Sequence, residues 1–265
     1  MNVSVIIPAA GRGTRFGSSD KLNQDLGGRP LLVRTVELFS KRQEVGQIIV
    51  AGPPAPEDYE VFRERFAATL SFLGAMVVEG GKAERWETVR NAIKAVAPEA
   101  THIAVHDAAR PATGPDVLNR VFEAAKSLPA VIPGVRVAAT IKRVTTDAET
   151  VTPAEDDAIA DAIFGEAGRV SVEAKRVIET VPREGLVEIQ TPQVFEAELL
   201  RRAYAQADLS GATDDASLVE RLGETVHVVE GDACNIKVTT LNDLRLVRAI
   251  LGVKAPEARP VHKQF

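Results

Sequence analysis

The 265-residue chain contains one cysteine, Cys234, which excludes a disulfide framework and a thiolate metal site. It has no apolar run approaching the roughly 18 residues of a membrane span, and no signal-peptide pattern precedes Val3. The expectation is a soluble cytoplasmic protein with no membrane partner. Positive charge is not in excess. The net charge of −5 argues against the basic footprint of a nucleic-acid binder, and suits a small anionic ligand held by a local basic cluster. Aromatic residues are few, yet 45% of the chain is hydrophobic, enough for the core of one sizeable α/β domain. There is no G-x-x-x-x-G-K-[ST] string and no internal repeat.

What is present begins at once, with VSVIIPAAGRGTRFGSSDK over residues 3–21. The β-branched run before Pro8 predicts a strand buried on both faces. The loop after it holds Gly11, Gly13 and Gly17 among Arg12, Arg15 and Lys21. Glycines let backbone approach a ligand closely, and free N–H groups and cations suit phosphate oxygens. The stretch predicts a polyphosphate cradle at the end of a parallel sheet; a tight turn with solvated arginines is the plain alternative. A dinucleotide-binding loop fits poorly. Its third glycine falls one residue late, and the second strand, residues 47–51, ends in Gly52-Pro53-Pro54 without a ribose-binding acid.

Helical spacing over residues 30–39, 58–73 and 86–96 alternates with strand-like runs at 47–51, 75–78 and 103–105. That alternation predicts a parallel sheet with right-handed crossovers. Gly80 and Gly81 stand before a helix start, where free N–H donors point out at the sheet's carboxyl edge. Arg85 there can reach a phosphate. Thr88 is either a base or sugar contact or an ordinary first-turn hydroxyl. The third strand-like run leads into His106, Asp107 and Arg110. An acid at that end of a strand is placed to hold Mg²⁺ against nucleotide phosphates, so Asp107 is the expected metal ligand. Arg110 holds Asp107 or touches phosphate. His106 reads as structural, because no Ser or Cys partner marks a triad.

The rhythm breaks over residues 133–184. Runs at 140–144 and 177–181 suit a hairpin, and the acidic, Ala-rich stretch between them has possible helix around 156–161. A two-stranded excursion cannot bury its own faces, which predicts packing on a second subunit; a loose surface insertion is the alternative. Beyond it come QTPQVF, a helix over residues 196–207, and TDDAS before another helix, with Thr213 or Asp214 as cap. Strands follow at 226–229 and 235–239, then a closing helix at 241–251 and a loose tail at 255–265. Lys237, inside the second of these strands, is either solvent-facing edge protection or a second phosphate cation.

Seven motifs in order, PAAGRGTRFGSSDK, GGKAERWETV, VHDAARP, TIKRV, QTPQVF, TDDAS and NIKVT, cover residues 3 to about 251. Together they resemble the 2-C-methyl-D-erythritol 4-phosphate cytidylyltransferase family. The resemblance implies a Rossmann-like nucleotidyltransferase of the α/β class, its mostly parallel twisted sheet flanked by helices on both faces. One domain, residues 1–254, would carry a protruding β-arm at about 133–184. It also implies CTP as substrate, Mg²⁺, a polyol phosphate acceptor and a homodimer whose arms complete each other's sites.

By position, Ala9, Ala10, Gly11 and Gly13 would line the nucleotide with Gly81, Arg85 and Thr88. Arg15, Lys21 and Lys237 would surround the α-phosphate, Asp107 would hold the metal, and Thr140 and Arg183 the acceptor. The chain departs from the family pattern at Asp20, where proline is common, at Thr88, where serine is usual, and at Ala139 and Cys234, where acids are frequent. Its arm is also longer. These departures leave open a cytidylyltransferase for another polyol phosphate, such as ribitol 5-phosphate, and a nucleotide-binding protein weak in catalysis.

Overall fold

The opening apolar run forms the centre of the sheet in the computed structural model, which describes residues 1–11, 16, 20–54, 56–151 and 172–255. Strand β1 (Val3–Pro8) alternates its side chains between two cores, with Val3, Val5 and Ile7 in one and Ile6 in the other. Burial on both faces is why the run lacks the polar alternation of a half-exposed strand. Strands β2 (Val45–Gly52), β3 (Ala75–Glu79) and β4 (His102–Val105) continue it: β1 pairs parallel with β2 and β4, and β2 with β3.

Helices α1 (Leu31–Glu37) and α2 (Glu57–Phe72) pack on one face, and α3 (Arg85–Ile93) on the other. Three acids in the first turn of α2, Glu57, Asp58 and Glu60, complement the positive end of its dipole. Helix α4 (Pro115–Ala125) and strand β5 (Ala130–Arg136) add a further unit that the sequence expectations pass over. Its buried Val117, Leu118, Val121, Phe122 and Ala125 nonetheless fall at helical spacing.

The chain divides into two compact units. One comprises Met1–Val135 with Ile189–Phe265, the other Arg136–Glu188. In the second, β6 (Ile141–Val144) pairs antiparallel with β9 (Val177–Val181), as the hairpin reading expects. Strand β7 (Glu149–Val151) pairs with β8 (Val172–Ala174), and β10 (Val187–Ile189) closes the segment. The helix expected around 156–161 and residues 256–265 of the tail lie outside the described residues.

Back in the first unit, β11 (Gln193–Glu196) runs antiparallel to both β4 and β5, within the order β5-β11-β4-β1-β2-β3. The sheet is therefore mixed, though mostly parallel. Helices α5 (Ala197–Tyr204) and α6 (Asp215–Glu220) join the face of α3, while strand β12 (His227–Glu230) pairs with β5. Helix α7 (Leu241–Ile250) joins the face of α1, its start closed by a capping box between Thr240 and Asp243. One expected strand does not form: residues 235–239, all described, join no ladder. Val238 donates its N–H to the Ala109 carbonyl at 2.8 Å instead, tying this segment to the turn after β4.

Candidate active site

A cleft of about 990 Å³ opens where the parallel strands end. Ala9, Ala10 and Gly11 follow β1, Pro53 and Pro54 follow β2, Gly81–Arg85 follow β3, and Asp107–Ala109 follow β4, all lining it with Lys21 and Lys237. This is the carboxyl edge at which open α/β sheets bind ligands. Among the described residues, a side chain at Gly11 would meet nothing within 4 Å.

Asp107 is the centre of charge. Lys237 Nζ lies 3.0 Å from its Oδ2, Arg110 Nε 3.2 Å from the same oxygen, and Arg85 Nε 3.7 Å from Oδ1. Burial would raise the Asp107 pKa, but Arg85, Lys237 and Arg110 hold it well below the ordinary carboxylate value. Arg85 also donates through Nη2 to Asp215 at 2.8 Å. Burial opposes its charge, yet Asp215 and Asp107 raise its pKa and keep it a cation. Three cations thus face two carboxylates, and the other charges that line the cleft, Lys21, Arg65 and Lys82 against Asp20, Asp58 and Glu84, balance, which leaves one positive charge in excess. Such a surplus in a half-buried cleft suits a polyanion. Lys237 is therefore a cleft cation and not edge protection.

Arg110 holds Asp107, and its Nη1 donates to the Asn235 carbonyl at 2.6 Å. His106 is structural. Fully buried, it bonds the Thr191 hydroxyl through Nδ1 and the Arg110 carbonyl through Nε2, both at 3.1 Å, and packs edge-on against Phe39. Burial pushes its pKa down to about 4, so the ring is neutral near pH 7.

The wall after β3 differs from its expectation. Its N–H groups do not point out free: Gly81 donates to Thr88 Oγ1 at 3.0 Å, and Lys82 and Ala83 each donate to Glu87 Oε2 at 2.9 Å. Glu84 adds a longer bond to the same oxygen, and these backbone donors lower the Glu87 pKa. The glycines answer to packing. A Cβ on Gly81 would lie 2.2 Å from Glu87 Cβ, and one on Gly80 2.3 Å from the Gly52 carbonyl oxygen. Thr88, 3% exposed, is at once a first-turn hydroxyl that closes this turn and a lining residue of the cleft.

The family model of 2-C-methyl-D-erythritol 4-phosphate cytidylyltransferase matches residues 3–160 and 158–253. The chain belongs to this family. The 2-C-methyl-D-erythritol 4-phosphate cytidylyltransferase of Frankia casuarinae is 40% identical over 253 residues, covering 94% of this chain and 81% of the relative. That of Solibacter usitatus is 38% identical over 266 residues, covering 96% and 98%. The crystal structure of 2-C-methyl-D-erythritol 4-phosphate cytidylyltransferase from Thermus thermophilus superposes with a TM-score of 0.67 at 33% identity, over 96% of this chain and all of that one. The α/β nucleotidyltransferase fold and the enzyme class follow.

Within this cytidylyltransferase fold the expected residues divide. Ala9, Ala10, Gly11, Lys21, Gly81, Arg85, Thr88, Asp107 and Lys237 line the one cleft. Gly13 and Arg15 lie outside the described residues. Thr140 and Arg183 belong to the second unit, where Arg183 donates to the Ala138 carbonyl. Asp20, one residue from Lys21, pairs with Arg65 of α2 and accepts from the Leu22 N–H at 3.2 Å. Its charge thus has a guanidinium of its own. No three His, Cys, Asp or Glu side chains gather into a metal cluster among the described residues. A cleft with Asp107 as its inner carboxylate fits a hard cation in one manner, carried on phosphate oxygens and touching one protein acid. Asp215, Glu87, Asn235 and Arg65 were not singled out by the sequence. Of these Glu87, Asp215 and Asn235 lay within the motifs GGKAERWETV, TDDAS and NIKVT, and Arg65 lay in none; in TDDAS the neighbour of Asp215, Asp214, is the cap.

Proposed function

We propose that the protein moves the cytidylyl group of CTP to 2-C-methyl-D-erythritol 4-phosphate, releasing pyrophosphate, as a step of isoprenoid biosynthesis. The observation that carries this reading is the convergence of Lys21, Arg85 and Lys237 on one cleft around Asp107, in a member of this family. A phosphate oxygen of the acceptor attacks the α-phosphorus of CTP. The bond from that phosphorus to the β-phosphate bridging oxygen breaks, and pyrophosphate leaves with the electron pair. The attacking oxygen is already anionic, so the reaction needs positioning and positive charge and no strong base.

Ala9, Ala10, Gly11 and Gly13 with Gly81, Arg85 and Thr88 hold the nucleotide; Thr88, whose oxygen already accepts from Gly81, serves it as a donor. Lys21, Lys237 and Arg15 stabilise the charge that gathers at the α-phosphate. Mg²⁺, when bound by the nucleotide phosphates and Asp107, lowers the charge on the leaving pyrophosphate. Thr140 and Arg183 hold the acceptor from the arm of a second copy in a homodimer. Val144, Val151, Val172, Val177 and Ile178, all exposed on the two-stranded ribbons of the arm, support that pairing. Among the described residues no helix is long and apolar enough to cross a membrane. We place the enzyme in the cytoplasm.

The test is pyrophosphate release with CTP and Mg²⁺, comparing 2-C-methyl-D-erythritol 4-phosphate with ribitol 5-phosphate. Release with the methylerythritol phosphate alone is expected. Release only with ribitol 5-phosphate would keep the chemistry and overturn the acceptor; CTP binding without release from either would overturn the enzyme.

A further inference from the structure

Two motifs have no part in the proposed reaction, QTPQVF and TDDAS, and they meet behind Arg85. Gln193 of β11 accepts through Oε1 from the N–H groups of Asp215 and Ala216, at 3.2 and 3.0 Å, and donates through Nε2 to Asp214 at 2.8 Å. Asp214 caps α6 by accepting from the Ser217 N–H at 3.0 Å. The start of α6 is thereby fixed, with the Asp215 side chain turned inward and fully buried. One of its oxygens accepts from the buried Tyr204 hydroxyl of α5, the other from Arg85.

A carboxylate taken wholly out of water is a poor device for stability, since an apolar residue of similar volume often does as well. What the pair supplies is direction. Arg85 is a long, flexible side chain, and at its other edge stands Asp107, already joined by Arg110 and Lys237. Among the described residues Asp215 and Asp107 are its two ion-pair partners, so without Asp215 the guanidinium is drawn towards Asp107 alone. We propose that Asp215, fixed by Tyr204 and Gln193, is a positioning residue that aims Arg85 at the nucleotide phosphates. It acts through Arg85 and touches no substrate. The inference rests on the cleft being a nucleotide site.

The experiment is a double-mutant cycle on the full chain: Asp215→Asn, Arg85→Ala and both together, each read by CTP dissociation constant, KM for each substrate and melting temperature. Asp215→Asn is expected to weaken CTP binding about 10- to 100-fold, the scale of a hydrogen bond to a charged group. The acceptor KM should hold, and adding Asp215→Asn to Arg85→Ala should change CTP binding less than about twofold. Asp215→Glu should restore part of the loss. Wild-type CTP affinity in folded Asp215→Asn would overturn the inference, as would losses that multiply in the double variant. Should Asp215→Asn not fold, Tyr204→Phe carries the test: a weaker loss of CTP affinity is expected, and none at all overturns the proposal. A folded wild type that binds no CTP would instead remove the nucleotide reading, and this inference with it.

Discussion

The two walls of the cleft are made of different materials. The wall after β3 is backbone: Gly81, Lys82 and Ala83 fold tightly over the start of α3 and turn their N–H groups inward to Thr88 and Glu87. The wall after β4 is charge: Asp107 gathers Arg85, Arg110 and Lys237 within 4 Å. One wall sets shape and has no backbone donors to spare along Gly81–Glu84. The other sets electrostatics and keeps a positive surplus. The difference teaches where substitutions should be felt: in stability on the first wall, in rate on the second.

The largest expected effect tests the charged side. Lys21→Ala removes a preorganised cation from the cleft and should cost about 3–4 kcal/mol of barrier, roughly 10²–10³ in rate. Arg15→Ala should fall as far. The melting temperature of Lys21→Ala should stay close to wild type, because Lys21 is not part of the two cores. Near-normal pyrophosphate release in both variants would end the comparison, since positive charge would then not be what sets the rate in this cleft.

Next comes pH, through the neutral ring behind Asp107. Burial lowers the His106 pKa to about 4, whereas an unfolded chain protonates its histidines near 6.5. Between those values the unfolded state binds the extra proton, so stability rises with pH across the window and is lost as pH falls from 6.5 towards 4. Over the whole window the loss amounts to about 3 kcal/mol. His102, also lowered by burial, adds to it in the same direction. Urea unfolding at about pH 7 and about pH 4 should show this slope, and His106→Gln should flatten it whatever its effect at neutral pH. Equal slopes in the two proteins would remove His106 as the cause.

How much of this was legible depends on whether the signal is local. β1 reads directly because burial on both faces leaves a continuous apolar run, and the hairpin of β6 and β9 reads because β-branched runs flank it. Residues 235–239 have the same β-branched look and form no strand. The Asn235 carbonyl accepts from Arg110 Nη1, the Val238 N–H donates to the Ala109 carbonyl and the Thr239 N–H donates to Asp243 Oδ2, so other partners took the backbone that a ladder would have used. The antiparallel course of β11 is likewise a matter of which strands flank it, not of its four residues. At the site, Asp107 was legible as an acid at the end of a strand-like run, and Lys237 as a lysine inside a β-branched one. Asp215 was not, because two adjacent aspartates look alike until one caps the helix and the other turns in. Asp20 looked like an anion set against Lys21, and Arg65, 45 residues away, gives it another partner.

The smallest expected effect tests the backbone side with two glycines of the same cleft. A Cβ on Gly81 would lie 2.2 Å from Glu87 Cβ and 2.7 Å from the Thr88 nitrogen, so the turn or the start of α3 must shift to admit it. Gly81→Ala should therefore lose about 1–3 kcal/mol of stability, the usual cost of overpacking a tight contact. A Cβ on Gly11 meets nothing within 4 Å among the described residues, so Gly11→Ala should leave the melting temperature unchanged and weaken only CTP binding. Melting curves of the two variants with and without CTP separate these outcomes. If Gly81→Ala melts like wild type, the turn has slack, and the wall after β3 is not the rigid surface that its hydrogen bonds imply. If Gly11→Ala lowers the melting temperature as much as Gly81→Ala, glycine at both positions serves the fold, and the open space at Gly11 no longer speaks for a ligand.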